Sequence, residues 1–271
     1  MDFRPALIGF ALIVWPALAT AQDAAAPLTT KPLVINDETI GVLRQHQVGS
    51  IILPRGKPPF PAVVVLHGCN GVSENTWGWA RRLASWGYAA LVINSFTPRG
   101  IRLVCDEGRE LPGPRRARDA FTAAAYLRSR ADIDGKRIGV LGYSHGGWTA
   151  LAAAWEGTAK AAGAPAFRAA VALYPYCPKV TPVLATDLLI LIGDADDWVS
   201  AKLCTAYVDK YGPDAPHRPS LTVYPGARHS FDAKRPDRVY FGHHLAYDAK
   251  ATADALKRTR QFLDEHLNAK P

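Results

Sequence analysis

Val140-Leu141-Gly142-Tyr143-Ser144-His145-Gly146-Gly147 is the stretch on which the reading of this chain turns. It closes an apolar run with a turn of small residues that lifts one serine clear of its neighbours. A serine on a sharp strand-to-helix turn sits in strained backbone, so the residues two before and two after it must be small enough to pass each other. Gly142 and Gly146 meet that need. The turn aims the hydroxyl outward and points the first amides of the next helix at the place where an oxyanion would form.

The flanks decide between a nucleophile elbow and a glycine-rich turn with an incidental serine. Upstream, Lys136-Arg137-Ile138-Gly139-Val140-Leu141 predicts a short buried strand, led by the turn Asp132-Ile133-Asp134-Gly135. Downstream, Trp148-Thr149-Ala150-Leu151-Ala152-Ala153-Ala154-Trp155 predicts an Ala-rich helix. Strand, turn and helix together favour the elbow.

Further out, the same alternation continues. Strands are expected over 62–66, 88–93, 137–141, 168–173, 188–192 and 221–224, each a nearly continuous Val/Ile/Leu/Ala run of the kind buried on both faces of a parallel sheet. Helices are expected over 76–86, 116–130, 145–155, 201–211 and 246–267. Trp79, Leu83 and Trp86 recur at helical spacing and read as core. The fold class is therefore α/β, a mostly parallel sheet flanked by helices. Residues 47–53 with the turn Pro54-Arg55-Gly56 predict an antiparallel hairpin ahead of it.

The chain has 271 residues. Its start reads as an export signal over 1–21: Arg4, an apolar stretch from Ala6 to Ala19, and the small-residue site Ala19-Thr20-Ala21. That stretch is short for a membrane span, and no comparable run follows. A polar Ala/Pro/Thr-rich leader over 22–32 precedes what reads as a single domain, 22–271 in all. Four cysteines behind an export signal predict two disulfides, Cys69 with Cys105 and Cys177 with Cys204, since each pair joins loops that follow neighbouring strands.

The formal net charge is +8. It favours anionic substrates or surfaces, but the basic residues are scattered and no nucleic-acid-binding signature accompanies them. The densest group, Arg99, Arg102, Arg109, Arg115, Arg116 and Arg118, lies in a Pro/Gly-punctuated segment and is expected to be a solvated loop.

A serine hydroxyl needs an imidazole to take its proton and a carboxylate to orient that imidazole. In a parallel sheet these groups gather at the carboxyl ends of the strands. The strand over 188–192 runs into Gly193-Asp194-Ala195-Asp196-Asp197-Trp198, and that over 221–224 into Pro225-Gly226-Ala227-Arg228-His229-Ser230-Phe231. His229 follows the last strand and is the expected base, ahead of His67, His145, His243 and His244. The pair His243-His244 lacks further metal-ligand spacing. Spacing leaves Asp194, Asp196 and Asp197 all open as the acid. A calcium loop counted from Asp194 fails, because Val199 falls where Gly is needed and Thr205 where Glu is needed. The Gly-rich turn Leu66-His67-Gly68-Cys69-Asn70-Gly71 is placed to give a second oxyanion amide, that of Cys69, opposite that of His145. Trp77, Phe96, Tyr143 and Trp198 lie near this face as pocket or packing residues.

Taken in order, these motifs, with Ser95-Phe96-Thr97-Pro98-Arg99-Gly100 and Tyr174-Pro175-Tyr176-Cys177, resemble the dienelactone hydrolase family of α/β-hydrolases, from about Pro61 to the last helix. The resemblance implies Asp196 as the acid and the triad Ser144, Asp196 and His229. The enzymes that gave the family its name carry cysteine at the elbow. Ser144 shifts the expectation from dienelactone to a general carboxylesterase or lactonase, acting on a small ester without cofactor or metal. Two other classes stand beside it: a peptidase or amidase on the same triad, and a non-catalytic binding protein on a hydrolase scaffold.

Overall fold

The computed structural model describes residues 31–34, 47–106 and 110–268. The expected export signal, the leader up to residue 30, and Arg109 lie outside them. Among the described residues, eight strands form one sheet in the order β1-β2-β4-β3-β5-β6-β7-β8. They are β1 (Lys31–Val34), β2 (Gln47–Ile52), β3 (Phe60–Leu66), β4 (Ala89–Ile93), β5 (Ile133–Tyr143), β6 (Ala170–Leu173), β7 (Leu188–Gly193) and β8 (Pro219–Tyr224). From β4 to β8 every pairing is parallel; β2 is antiparallel to both its neighbours.

The helices are α1 (Glu74–Ser85), α2 (Gly113–Arg128), α3 (His145–Ala153), α4 (Glu156–Ala161), α5 (Ala201–Val208) and α6 (Ala249–Leu267). The connection β3-α1-β4 steps one way along the sheet, and β4-α2-β5 steps back past β3. Right-handed crossovers then put α1 and α2 on opposite faces and cover the sheet on both sides. The central strands are accordingly buried along their whole length, from Ala62 through Leu66 and from Leu188 through Ile192. Trp79 and Leu83 are core, with Trp86 packed at its margin.

Five expectations need correction. The strand over 221–224, expected to be buried on both faces, is the edge strand β8, with Leu221 and Thr222 half-buried and Val223 exposed. The hairpin expected through Pro54-Arg55-Gly56 is not formed, because the chain passes under β4: β2 pairs with one edge of β4 and β3 with the other. β5 starts at Ile133, inside the expected turn, since Ile133 pairs with Phe60 of β3. The helix expected over 145–155 stops at Ala153, where Trp155 turns extended and bridges Leu184, and α4 starts afresh. The basic segment is not one solvated loop. Arg115 and Arg118 are exposed on α2, Arg99 pairs with Asp119, and Arg116 is completely buried.

A second small sheet was not foreseen. β9 (Arg238–Tyr240) and β10 (His243–Leu245) make a hairpin closed by Phe241 and Gly242, both at positive φ (51° and 79°), as a tight two-residue turn requires. Among the described residues no helix is long and apolar enough to cross a membrane.

Candidate active site

Ser144 stands between β5 and α3 with φ 55° and ψ −122°, a conformation that costs a non-glycine residue energy and persists only where its surroundings impose it. Its amide bonds to Leu173 O at 2.9 Å, and its carbonyl accepts from Trp148 N at 3.0 Å. The glycines make the turn possible. A Cβ on Gly142 would come within 2.1 Å of Gly146 O, and one on Gly146 within 2.2 Å of Leu66 O.

His229 follows β8 and is almost wholly buried. Its Nε2 lies 3.0 Å from Ser144 Oγ, and its Nδ1 lies 2.8 Å from Asp196 Oδ2. A carboxylate only accepts, so Nδ1 carries a proton; in the neutral imidazole Nε2 is then the nitrogen whose lone pair faces the serine hydroxyl. The other Asp196 oxygen accepts the amides of Trp198 and Val199, each at 2.9 Å. The three aspartates are thereby sorted. Asp194 accepts Gly226 N within the turn, and Asp197 holds the β9–β10 hairpin through the His244 amide, so only Asp196 reaches the imidazole. His243 stacks on Trp198 at 4.6 Å and contacts the Asp197 carbonyl.

The turn after β3 comes to the same place. Gly68, Cys69, Tyr143, Ser144, Trp198 and His229 line one narrow cleft of about 50 Å³, with Arg235, Arg238 and Tyr240 at its rim. Of the four aromatics in question, Tyr143 and Trp198 line it; Phe96 is buried against His67, and Trp77 packs on the core. His67 is buried, donates Nδ1–H to Gly68 O at 2.7 Å and accepts the Ser95 amide at Nε2. Burial and the nearby Arg116 cation hold its pKa well below the ordinary value, so it stays neutral.

Both disulfides are formed as expected, Cys69–Cys105 and Cys177–Cys204. The first ties the turn after β3 to the segment after β4, where Val104 N also donates to Cys69 O.

Two residues of this region carry no motif. Asp232, three positions after His229, accepts Trp79 Nε1 at 2.6 Å, Tyr174 OH at 2.5 Å and Asn75 Nδ2 at 3.3 Å. Arg116 reaches His67 O and His145 Nδ1 from α2. Helical spacing from Arg116 through Ala120 and Ala124 to the buried Leu127 was the available signal for the second.

Comparison with known proteins gives the family and the fold. The model of the Dienelactone hydrolase family matches residues 48–267. A Bradyrhizobium protein named "Probable 2-oxo-3-(5-oxofuran-2-ylidene)propanoate lactonase" is 25% identical over 264 residues, 90% of this chain and 99% of its own. A structure from Klebsiella pneumoniae superposes with a TM-score of 0.69 at 19% identity, over 89% of this chain and 100% of that one. An alpha/beta hydrolase enzyme from a Medee basin deep-sea metagenome library gives 0.63 at 19%, over 88% and 98%. The fold is that of the α/β-hydrolases, and with the family's model running from β2 through the serine turn and the histidine loop to the last helix, this chain belongs to the dienelactone hydrolase family.

Proposed function

We propose that this chain is an exported serine hydrolase that cleaves a small carboxylic ester or lactone through an acyl-enzyme. The observation that carries the proposal is the Ser144-His229-Asp196 relay, 3.0 and 2.8 Å long, on a serine held at positive φ. Ser144 Oγ attacks the carbonyl carbon as its proton passes to His229 Nε2, and Asp196 stabilises the imidazolium. The oxyanion is received by the amides of Cys69 and His145. His229 then returns the proton to the leaving alkoxide oxygen, the C–O bond breaks, and the acyl group stays on Ser144. Water, deprotonated by the same imidazole, attacks the acyl carbon, the bond to Ser144 Oγ breaks, and His229 returns the proton to that oxygen as the acid leaves. No step calls for a cofactor or metal.

The narrow cleft favours a small acyl group, and Arg235 and Arg238 at its rim favour one that carries negative charge. The similarity to a protein named a lactonase supports the lactone side of the proposal. Two disulfides and the signal-like residues 1–21 support export to an oxidising compartment, with 22–271 as a single mature domain.

The test is turnover of p-nitrophenyl acetate, a simple lactone and an amide such as an amino-acid p-nitroanilide by wild type and Ser144→Ala. Ester and lactone hydrolysis that vanishes in the variant is expected. Full turnover by Ser144→Ala, or hydrolysis of the amide alone, overturns the proposal.

A further inference from the structure

We infer that Arg116 is a positioning residue that sets the spacing of the two oxyanion donors and supplies the positive charge behind them; the inference rests on the reading of Ser144 as nucleophile. Arg116 is fully buried. Taking a guanidinium out of water costs several kcal/mol, repaid only by well-placed partners. Among the described residues, its hydrogen bonds go to uncharged groups. Nε donates to Ser95 Oγ at 3.1 Å, and Nη1 donates to His67 O at 2.8 Å and to His145 Nδ1 at 3.0 Å. Its Cζ stands 5.1 Å from the centre of the Phe96 ring, and among the described residues Nη2 has no hydrogen-bond partner. The Asp119 carboxylate acts on it through space but is paired with Arg99, and a buried cation whose hydrogen bonds are so incompletely satisfied weakens the fold, which points to a use other than stability.

The partners show the use. His67 lies two residues before Cys69 on the turn after β3, and His145 opens α3 directly after Ser144. One nitrogen, Nη1, therefore ties together the two segments that present the oxyanion amides. These segments already press on each other: a Cβ on Gly146 would stand 2.6 Å from the same His67 carbonyl that Arg116 grips. A guanidinium only donates, so His145 must accept at Nδ1 and its ring is neutral. Desolvation draws the Arg116 pKa down to about 10, which leaves it cationic at neutral pH. A fixed positive charge in a low-dielectric interior favours the negatively charged tetrahedral state over the neutral ester, so it acts on turnover rather than on substrate binding.

The experiment compares wild type with Arg116→Met and Arg116→Lys on p-nitrophenyl acetate, with sites counted by fluorophosphonate titration. Phenylboronic acid, which adds to a serine as a tetrahedral anion, probes the oxyanion hole. KM is expected to stay within about twofold, while kcat per titrated site falls about 10- to 100-fold in Arg116→Met, short of the ~10²–10³ for loss of a direct donor. Affinity for phenylboronic acid should fall by the same factor, and Arg116→Lys, which keeps the charge but loses the fork, should lie between. A merely structural role would lower the number of titratable sites and leave kcat per site and boronate affinity unchanged in both variants; that result, or a loss confined to KM, overturns the inference. Should Arg116→Met not fold, Arg116→Lys decides by the same constants. Wild-type protein inert to ester, fluorophosphonate and boronate alike overturns the nucleophile reading and this inference with it, whereas active wild type with unaffected variants overturns this inference alone.

Discussion

The Tyr174 hydroxyl donates to Asp232 Oδ1 at 2.5 Å, across 58 positions of chain, while the same ring makes a T-shaped contact with the His229 imidazole, centres 4.8 Å apart. One side chain thus holds both the imidazole and the loop that carries it. Burial and the Asp232 carboxylate push the Tyr174 pKa well above its ordinary value, so the phenol remains a donor at any pH of interest. Tyr174→Phe keeps the ring contact and removes the donor. A stability loss of roughly 1–3 kcal/mol is expected, since the carboxylate loses one partner, together with a several-fold fall in kcat. Urea titration and steady-state kinetics check the two.

The elbow glycines set a steric prediction with an internal control. Gly146→Ala would drive a Cβ into the Leu66 and His67 carbonyls at 2.2 and 2.6 Å, so about 3 kcal/mol or more of destabilisation and loss of activity are expected. Gly78, within α1, has nothing within 4 Å of its Cβ position. Gly78→Ala should therefore stabilise by about 0.5–1 kcal/mol and leave turnover unchanged. Thermal melts of the two variants decide it.

The two disulfides should separate in their effects. They span 36 and 27 positions, and the chain-entropy model gives each roughly 3.5–4 kcal/mol. Removal of either by paired Cys→Ser substitution should lower stability by a similar amount. Only the loss of Cys69–Cys105 should also lower kcat per folded molecule, because Cys69 is the proposed oxyanion donor.

His67 gives the pH dependence its sign. Its pKa is depressed in the folded protein and ordinary in the unfolded chain, so below about 6.5 the unfolded state binds the extra proton. The stability it contributes is complete above that pH and falls as pH drops through it, by up to about 1.4 kcal/mol per pH unit. Unfolding free energies between pH 5 and 7.5 should show this slope in wild type and a reduced one in His67→Gln.

The cleft rim predicts charge preference. Arg235→Gln with Arg238→Gln should raise KM for a carboxylate-bearing ester about three- to tenfold, leave a neutral ester nearly unaffected, and remove the salt dependence of the difference.

Much of this architecture is written locally in the chain. Continuous apolar runs mark strands buried on both faces, and Gly142, Ser144 and Gly146 mark a turn whose geometry admits few other residues. His229 stands out in the sequence as the base candidate because it follows β8, the last strand of the main sheet. The three neighbouring aspartates lie within four residues of one another, so spacing leaves them alike; the family resemblance points to Asp196, and the hydrogen bonds at the end of β7 give the three different partners. The hairpin of β9 and β10 escaped notice because three-residue strands carry almost no periodic signal, and its anchors, Asp197 and the bridge from His229 to Leu245, are tertiary. Arg116 was hidden by its neighbours: amid exposed arginines a charge reads as solvated, and its burial depends on α2 packing against α3.

If Ser144 is an activated nucleophile, it reacts with a fluorophosphonate, which intact mass of the mature protein before and after the probe reads out, with peptide mapping and Ser144→Ala as control. A single adduct is expected, on Ser144, absent from the variant. Folded wild-type protein that gains no mass, or that is labelled at another residue, would contradict it.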